Sequence, residues 1–378
     1  MSELSSLTVH FADLSDPRVE RTRLHALLDI LVIAICATVC GADDFVAIAA
    51  WGRAKEGWLR QRLALPNGIP SHDTFDRVFR RLDPEAFARC FLAWVQAVRT
   101  ATDGEVIAFD GKTLRHSFDT ASGKAAIHMV SAWATENRLV LGQVKVDDKS
   151  NEITAIPALL RLLDISGCIV TIDAMGCQRA IARQIVEQGG DYVLALKENQ
   201  PSLYADVVEF FTEAQTTNFA GIPHGFSREF DGEHGRIETR RCWTVDDIAW
   251  LRERHDWREL TSIVMMERER RVGERRSVEL SYSISSLAGG TDRGAQRLAR
   301  ALRGHWGIEN RLHWVLDVSF HEDGCRVRRD HAAQNLATVR HVGVNLLQQE
   351  RSAPMGTKNK RLRAGWDPRY LEKVLTGI

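Results

Sequence analysis

The sequence predicts an α/β fold, a mixed sheet flanked by helices and carrying a β-rich insertion, preceded by an all-α N-terminal domain. Three observations carry this reading. From Thr22 to Thr100 apolar residues recur at three and four spacing, the period of helices with one buried face. After Gly104 short apolar strands alternate with helical stretches, as in a sheet with helices packed on it. Between about 219 and 288 the chain turns strand-rich and loses its helical period. The boundaries that follow are 1–100 for the helical domain, 101–350 for the α/β domain with its insertion, and 351–378 for a basic tail.

The helical part reads as LLDILVIAICATV, DDFVAIAAWGRAKEGWLRQRL and DPEAFARCFLAWVQAV, broken by Gly41, Pro66, Asn67, Gly68 and Pro70, which are turn signals. Ser71, His72 and Asp73 are N-cap candidates for a helix carrying Phe75, Val78, Phe79 and Leu82. Arg53, Lys55, Arg60, Arg62, Arg77, Arg80 and Arg81 fall on the polar faces; composition alone favours a solvated surface over a DNA-binding one. Leu27–Cys40 is the most apolar run, but it is too short for a bilayer and contains Asp29, so it reads as a buried helix. The first residues are acidic and polar, without the basic-then-apolar order of a signal peptide.

In the α/β part, EVIAFD is a strand ending at Asp110, and IHMVSAWAT and RLVLGQVKV form a hairpin turning at Glu136 and Asn137. The helix EITAIPALLRLLD leads to the strand CIVTID, the helix CQRAIARQIVEQ and the strand DYVLAL. The insertion (SREFDGEHGRIETRRCWTV, LTSIVMMERERR, SVELSYSISS) reads as an inserted β subdomain, and helical period returns from Asp292. Lys358, Lys360, Arg361 and Arg363 make the tail basic.

The totals exclude several classes. Lys plus Arg and Asp plus Glu are both 50, so no global basicity announces nucleic acid, and any DNA surface must come from local clustering. Seven cysteines without a CxxC pair read as reduced, mostly buried thiols of a cytoplasmic protein.

The chemistry lies in the carboxylates. Asp110 and Asp173 each close an apolar strand; side by side, they would share the edge of the sheet where α/β folds place ligands. Such a pair suits hard divalent cations held through oxygen, and two ions about 4 Å apart can drive an in-line displacement at phosphorus. A third acid must come from elsewhere. Glu309 lies in HWGIENRLHWVLD on a helix whose apolar stripe includes Trp306, Leu312 and Leu316, where an unpaired acid is costly unless it meets a cation. Asp317, Glu322 and Asp323 are rivals from the same region. Singly, each acid also has a bland reading, as a helix cap or a solvated side chain.

The segments IAFDGKTLR, VTIDAMGCQ, YVLALKENQP, EHGRIETRRCW and HWGIENRLHWVLDVSFHED, in that order, resemble the ISAs-type insertion-sequence transposases, also called H-repeat-associated proteins, of the DDE transposase superfamily. LLDILVIAICATVCGADDF, WGRAKEGWL and LPNGIPSHDTFDRVFRRLDPEAF are similar to that family's associated N-terminal domain. The resemblance implies an RNase H-like catalytic domain interrupted by a β-rich insertion. It puts the three metal-binding acids on Asp110, Asp173 and Glu309, with two Mg²⁺ ions (Mn²⁺ as a substitute) as cofactors. Wider relatives carry a Tyr, an Arg and a Lys at seven before, four before and seven after the Glu; here those positions are Leu302, His305 and Leu316. His305, Arg311 and His313 are the residues able to replace those phosphate contacts.

Lys112, two positions after Asp110, and Lys197, after the fifth strand, are further candidates for DNA phosphate. In the insertion, His234 and Arg236 flank Gly235, and the resemblance implies DNA contact near the transposon end, against a plain β-turn. His72 and Asp73 are not read as a catalytic pair, because neighbours in sequence need not bring their side chains together. The reading is therefore a transposase acting on terminal inverted repeats and target DNA. It is expected to be a homodimer on paired ends, cytoplasmic and nucleoid-associated, with no membrane partner. The alternatives are an RNase H-like nuclease without strand transfer, or a catalytically idle DNA-binding protein derived from a mobile element.

Overall fold

The computed structural model describes residues 5–99, 103–119, 123–147, 151–232 and 236–376. Among them nine strands form: β1 Val106–Leu114, β2 Ile127–Ala134, β3 Leu139–Lys145, β4 Ile169–Ile172, β5 Asp191–Leu196, β6 Gly225–Asp231, β7 Arg236–Val245, β8 Ser262–Val272 and β9 Arg275–Ser285. Their hydrogen-bonded order is β3-β2-β1-β4-β5-β9-β8-β7-β6, a large mixed sheet in an α/β protein. The chain gathers into two compact units. The first comprises Met1–Thr100, Gly111–Lys149 and Glu309–Ile378, the second Ala101–Asp110 and Ser150–Ile308.

In the second unit β4 runs parallel to both β1 and β5, with Phe109 opposite Ile172 and Ile172 opposite Leu194. A parallel pair needs a crossover, and the helix Arg179–Glu187 supplies it between β4 and β5. Every residue of β4 is buried, as expected for a strand covered on both faces. β9 pairs antiparallel with β5, Val193 opposite Ser285, and β8, β7 and β6 follow antiparallel. The β-rich insertion that the sequence pattern predicted is thus present as β6 to β9. Its strands continue the same sheet, because the end of β9 from Tyr282 to Ser285 is buried while Arg275–Ser281 is exposed.

The helix Asp292–Ile308 packs on this sheet. Ala295, Leu298, Ala299, Ala301 and Ile308 are its buried residues, and Leu298, Ala299 and Ala301 join a core with Val106, Ile169, Val193, Val264 and Met266. Burial of Leu298 alone contributes about 2 kcal/mol. The small residues allow a close approach to β1 at Gly304, where a Cβ would stand 3.1 Å from Val106 Cγ1.

In the first unit the helix Leu27–Val39 is buried at all positions but Leu28, and the helix Ala332–Gln349 against it is buried over most of its length. Helices apolar all round belong to an interior, and no described helix is long and apolar enough to cross a membrane. The β2–β3 hairpin has its edge strand covered: Asn345 Oδ1 accepts the Val140 N–H at 2.7 Å and its Nδ2 donates to the Val140 carbonyl at 3.0 Å. Leu114 and Met129 pack with Ala333 and Ala337.

Several local expectations change. Of the three cap candidates Ser71 is the N-cap, its hydroxyl accepting the Thr74 N–H at 3.3 Å. Asp73 instead lies exposed, with His72 Nε2 3.5 Å from its Oδ1. The stretch from 357 to 376 is two helices, Thr357–Trp366 and Pro368–Thr376. Lys360 and Arg361 are buried there. Lys360 Nζ donates to the Leu347 carbonyl at 2.9 Å, and Arg361 Nη2 to Thr38 O at 2.7 Å and Asp43 Oδ1 at 2.8 Å. Cations thus satisfy carbonyls left open at helix ends. All seven cysteines are free thiols.

Candidate active site

Asp110 does not end its strand, as the sequence predicted. β1 continues to Leu114, but its pairing with β4 ends at Phe109 opposite Ile172. Asp110 and Asp173, each the next residue, therefore emerge side by side where β4 stops, both half-buried. Asp173 Oδ1 accepts the Gly176 N–H at 3.3 Å. The turn is tight because residue 176 is glycine: a Cβ there would lie 2.2 Å from Ile172 Cγ2. The loop after β5 holds the same turn, through Asn199 Nδ2 to the Ala174 carbonyl and Gln200 Nε2 to the Cys177 carbonyl at 2.9 Å.

Burial pushes the Asp173 carboxyl above the usual range; the Gly176 N–H opposes this, Glu152 and Asp110 add to it by like charge, and His305 opposes it. Such a crowded, partly desolvated acid is stabilised as an anion by an added cation. His305 reaches this edge from the last turn of the Asp292–Ile308 helix, its Nδ1 3.2 Å from Thr171 Oγ1. Thr171 precedes Asp173 by two positions and so shares its face of the sheet.

Glu309 opens a five-residue π-helical stretch, Glu309–His313, one turn past His305. A π-helical turn carries an extra residue and shifts every later side chain around the axis. The predicted stripe is accordingly split: Leu312 and Leu316 are buried, while Trp306 is 43% exposed. Glu309 is itself exposed, so the expected cost of a buried acid does not arise. Among the described residues no three His, Cys, Asp or Glu side chains are gathered as a ready metal cage. The structure brings Asp110 and Asp173 together within the second unit, and Glu309 is the first residue of the closing segment of the first.

Lys112 faces acids. Its ammonium, on a side chain 11% exposed, lies 2.7 Å from Asp317, 3.2 Å from Asp323 and 3.3 Å from Glu322. Burial alone would depress its pKa, but Glu322, Asp317 and Asp323 raise it. This cluster also accounts for the three rival acids; Arg115 lies 3.2 Å from Asp323 and Arg340 3.5 Å from Glu322. Lys197, Arg236 and Arg311 are exposed, with Lys197 just past β5 on the sheet edge that carries Asp173. His234 and Gly235 lie outside the described residues. Glu152, whose charge is felt at Asp173, escaped the sequence reading because it stands at an ordinary capped helix start, Asn151 Oδ1 accepting the Ile153 N–H at 3.1 Å.

Residues 101–346 match the family model described as Transposase DDE domain, and residues 8–95 the model described as DDE_Tnp_1-associated. YhhI of Escherichia coli K12, an H repeat-associated protein whose name carries the word transposase, is 38% identical over 378 residues, covering 99% of each chain. YncI of Escherichia coli O157:H7, similarly named, is 40% identical over 377 residues, covering 98% of this chain and 95% of its own. Among solved structures, the piggyBac transposase synaptic complex with hairpin DNA aligns over 97% of this chain and 77% of that one at 9% identity and a TM-score of 0.42, too distant a likeness to bear on this chain's chemistry.

Proposed function

Because the chain belongs to the transposase DDE-domain family, we propose that it is a DNA transposase that cuts transposon ends and joins them to target DNA, with Asp110, Asp173 and Glu309 as metal-binding acids. The observation that carries this is the placement of Asp110 and Asp173 at the end of the parallel β1–β4 pair. Their donor set fits a hard cation: two half-buried carboxylates, oxygen only, one of them held above its usual pKa by burial and neighbouring charge. Asp110 and Asp173 would together hold one ion, and Glu309 with one of them would hold the other. Bound there, a pair of Mg²⁺ or Mn²⁺ ions supplies an activated oxygen nucleophile and stabilises the leaving oxygen.

The chain's own residues position these parts. The Gly176 N–H and the bonded loops after β4 and β5 fix the Asp173 carboxylate. The π-helical turn begins at Glu309, which is exposed and would complete the ligand set. His305, Arg311, Lys197, Arg236 and His234 are assigned to DNA phosphate. Lys112 is assigned to the ion cluster instead. In the first step water attacks phosphorus and the 3′ oxygen leaves with a proton; in the second the freed 3′ hydroxyl attacks a target phosphodiester, bonding to its phosphorus as the target strand's own 3′ oxygen leaves and takes up the proton. No covalent enzyme intermediate forms.

The proposed domains are 1–100, helical and DNA-binding; 101–350, RNase H-like and catalytic with its β-rich insertion at about 219–288; and 351–378, a basic C-terminal tail. The protein works as a dimer on paired ends, in the nucleoid. The test is an assay with labelled donor ends, a target plasmid and Mg²⁺. Joined product supports transposition, whereas cleavage without joining would establish the nuclease alternative, and binding without cleavage the idle one.

A further inference from the structure

Of the seven N-terminal cations that the sequence left as a solvated face, three have carboxylate partners. Arg60 pairs with Glu56 at 2.7 Å, Arg62 with Glu372, and Arg80 with Asp330 at 2.7 Å. The Arg80–Asp330 pair draws three distant segments of the first unit together. The His331 N–H donates to the Arg80 carbonyl at 3.4 Å, and Asn335 Nδ2 donates to the carbonyls of Phe79 at 2.8 Å and Leu82 at 2.9 Å. Lys124 donates to the carbonyls of Arg328 at 3.1 Å and Asp330 at 2.8 Å, and Arg328 lies 4.9 Å over the Phe118 ring. The end of the His72–Arg81 helix, the residues Phe118 and Lys124 and the loop 326–331 thus form one junction.

Its acids and cations do not balance. Asp330 and, at 3.7 Å, Asp76 share Arg80, whose hydrogen bond lowers the Asp330 carboxyl pKa. Arg81, Arg326 and Arg329 are exposed, and no described carboxylate is ion-paired with any of them. Three guanidinium groups on a bonded framework, in a chain of zero net charge, make a local positive surface of the kind the totals require if DNA is to bind. We infer that this junction docks the phosphate backbone of duplex DNA, with Arg81, Arg326 and Arg329 as sequence-independent phosphate contacts. The inference rests on the DNA-processing reading and adds a surface to it that none of the predicted site residues belongs to.

The test measures binding of a labelled duplex of arbitrary sequence, without divalent metal, across a salt series. Each lost phosphate contact lowers the slope of log affinity against log salt by about 0.9. The triple variant Arg81→Gln, Arg326→Gln, Arg329→Gln is expected to lower it by about 2.7 relative to wild type. A matched variant at the exposed Arg161, Arg183 and Arg369 removes the same charge elsewhere and is expected to keep the slope. An unchanged slope in the first variant, or an equal drop in both, overturns the proposed surface while leaving the transposase reading intact. Failure of the wild type to bind duplex at low salt would instead overturn the reading on which the surface rests. Thermal unfolding of both variants checks the fold; should the triple variant be unstable, Arg326→Gln and Arg329→Gln singly are expected to lower the slope by about 0.9 each.

Discussion

Lys112→Met separates the structural reading of this lysine from the phosphate contact that the sequence suggested. The ammonium lies 2.7, 3.2 and 3.3 Å from Asp317, Asp323 and Glu322, each contact worth about 5 kcal/mol at an effective dielectric of about 20 before desolvation. Desolvation and repulsion among the acids cancel most of that sum, and removing one partner of a buried ion cluster costs about 3–5 kcal/mol. Arg115 and Arg340 still neutralise part of the charge, which puts the expected loss at the lower end, about 3 kcal/mol. Urea unfolding should show a lower midpoint for Lys112→Met and most of it regained by Lys112→Arg, with duplex affinity unchanged in any variant that remains folded. A methionine variant that unfolds at the wild-type midpoint but loses duplex affinity would refute the cluster and restore the phosphate role.

Three further outcomes are expected. Asp173 titrates above its ordinary value of 3.8 in the folded chain, so its ionisation costs stability as pH rises through that window; Asp173→Asn should raise the melting temperature at neutral pH by about 2 °C per kcal/mol relieved, and a lower melting temperature would contradict this. Burial holds His341 down to about 4; its stabilising effect is complete above about 6.5 and lost as pH falls toward about 4, about 3 kcal/mol in all, and urea unfolding of His341→Gln should show a shallower pH slope than wild type. Gly176→Ala forces a Cβ to within 2.2 Å of Ile172 Cγ2, at about 2 kcal/mol, and should weaken Mn²⁺ binding by displacing the Asp173 turn; unchanged Mn²⁺ affinity would show that the turn does not set the site.

The mixed sheet, its flanking helices and the two acids beside β4 were legible because period and burial are local properties: IVTI is apolar at three of four positions and buried throughout, and Asp173 follows it at once. What was not legible depended on pairing. That β9 would join β5 is decided by burial at Tyr282–Ser285, and nothing in the alternating pattern of the insertion distinguishes a continued sheet from a separate one. The continuation of β1 past Asp110 was hidden because GKT lacks apolar alternation. The π-helical turn broke the stripe argument for Glu309, since a helical period presumes a constant advance per residue. Lys112 was misread because the acids that surround it lie more than 200 positions away, as the separation of 211 to Asp323 illustrates. The burial of Lys360 and Arg361 within the basic tail was hidden because charge counts do not reveal that they close helix ends.

Calorimetric titration of Mn²⁺ into the duplex-bound protein, for wild type and for Asp110→Asn, Asp173→Asn and Glu309→Gln, addresses the shared site most directly. Two ions per chain are expected in the wild type, with binding weakened or a site lost in each of the three variants. If Glu309→Gln takes up Mn²⁺ with wild-type stoichiometry and affinity, the three acids do not share one site and the proposed chemistry is wrong.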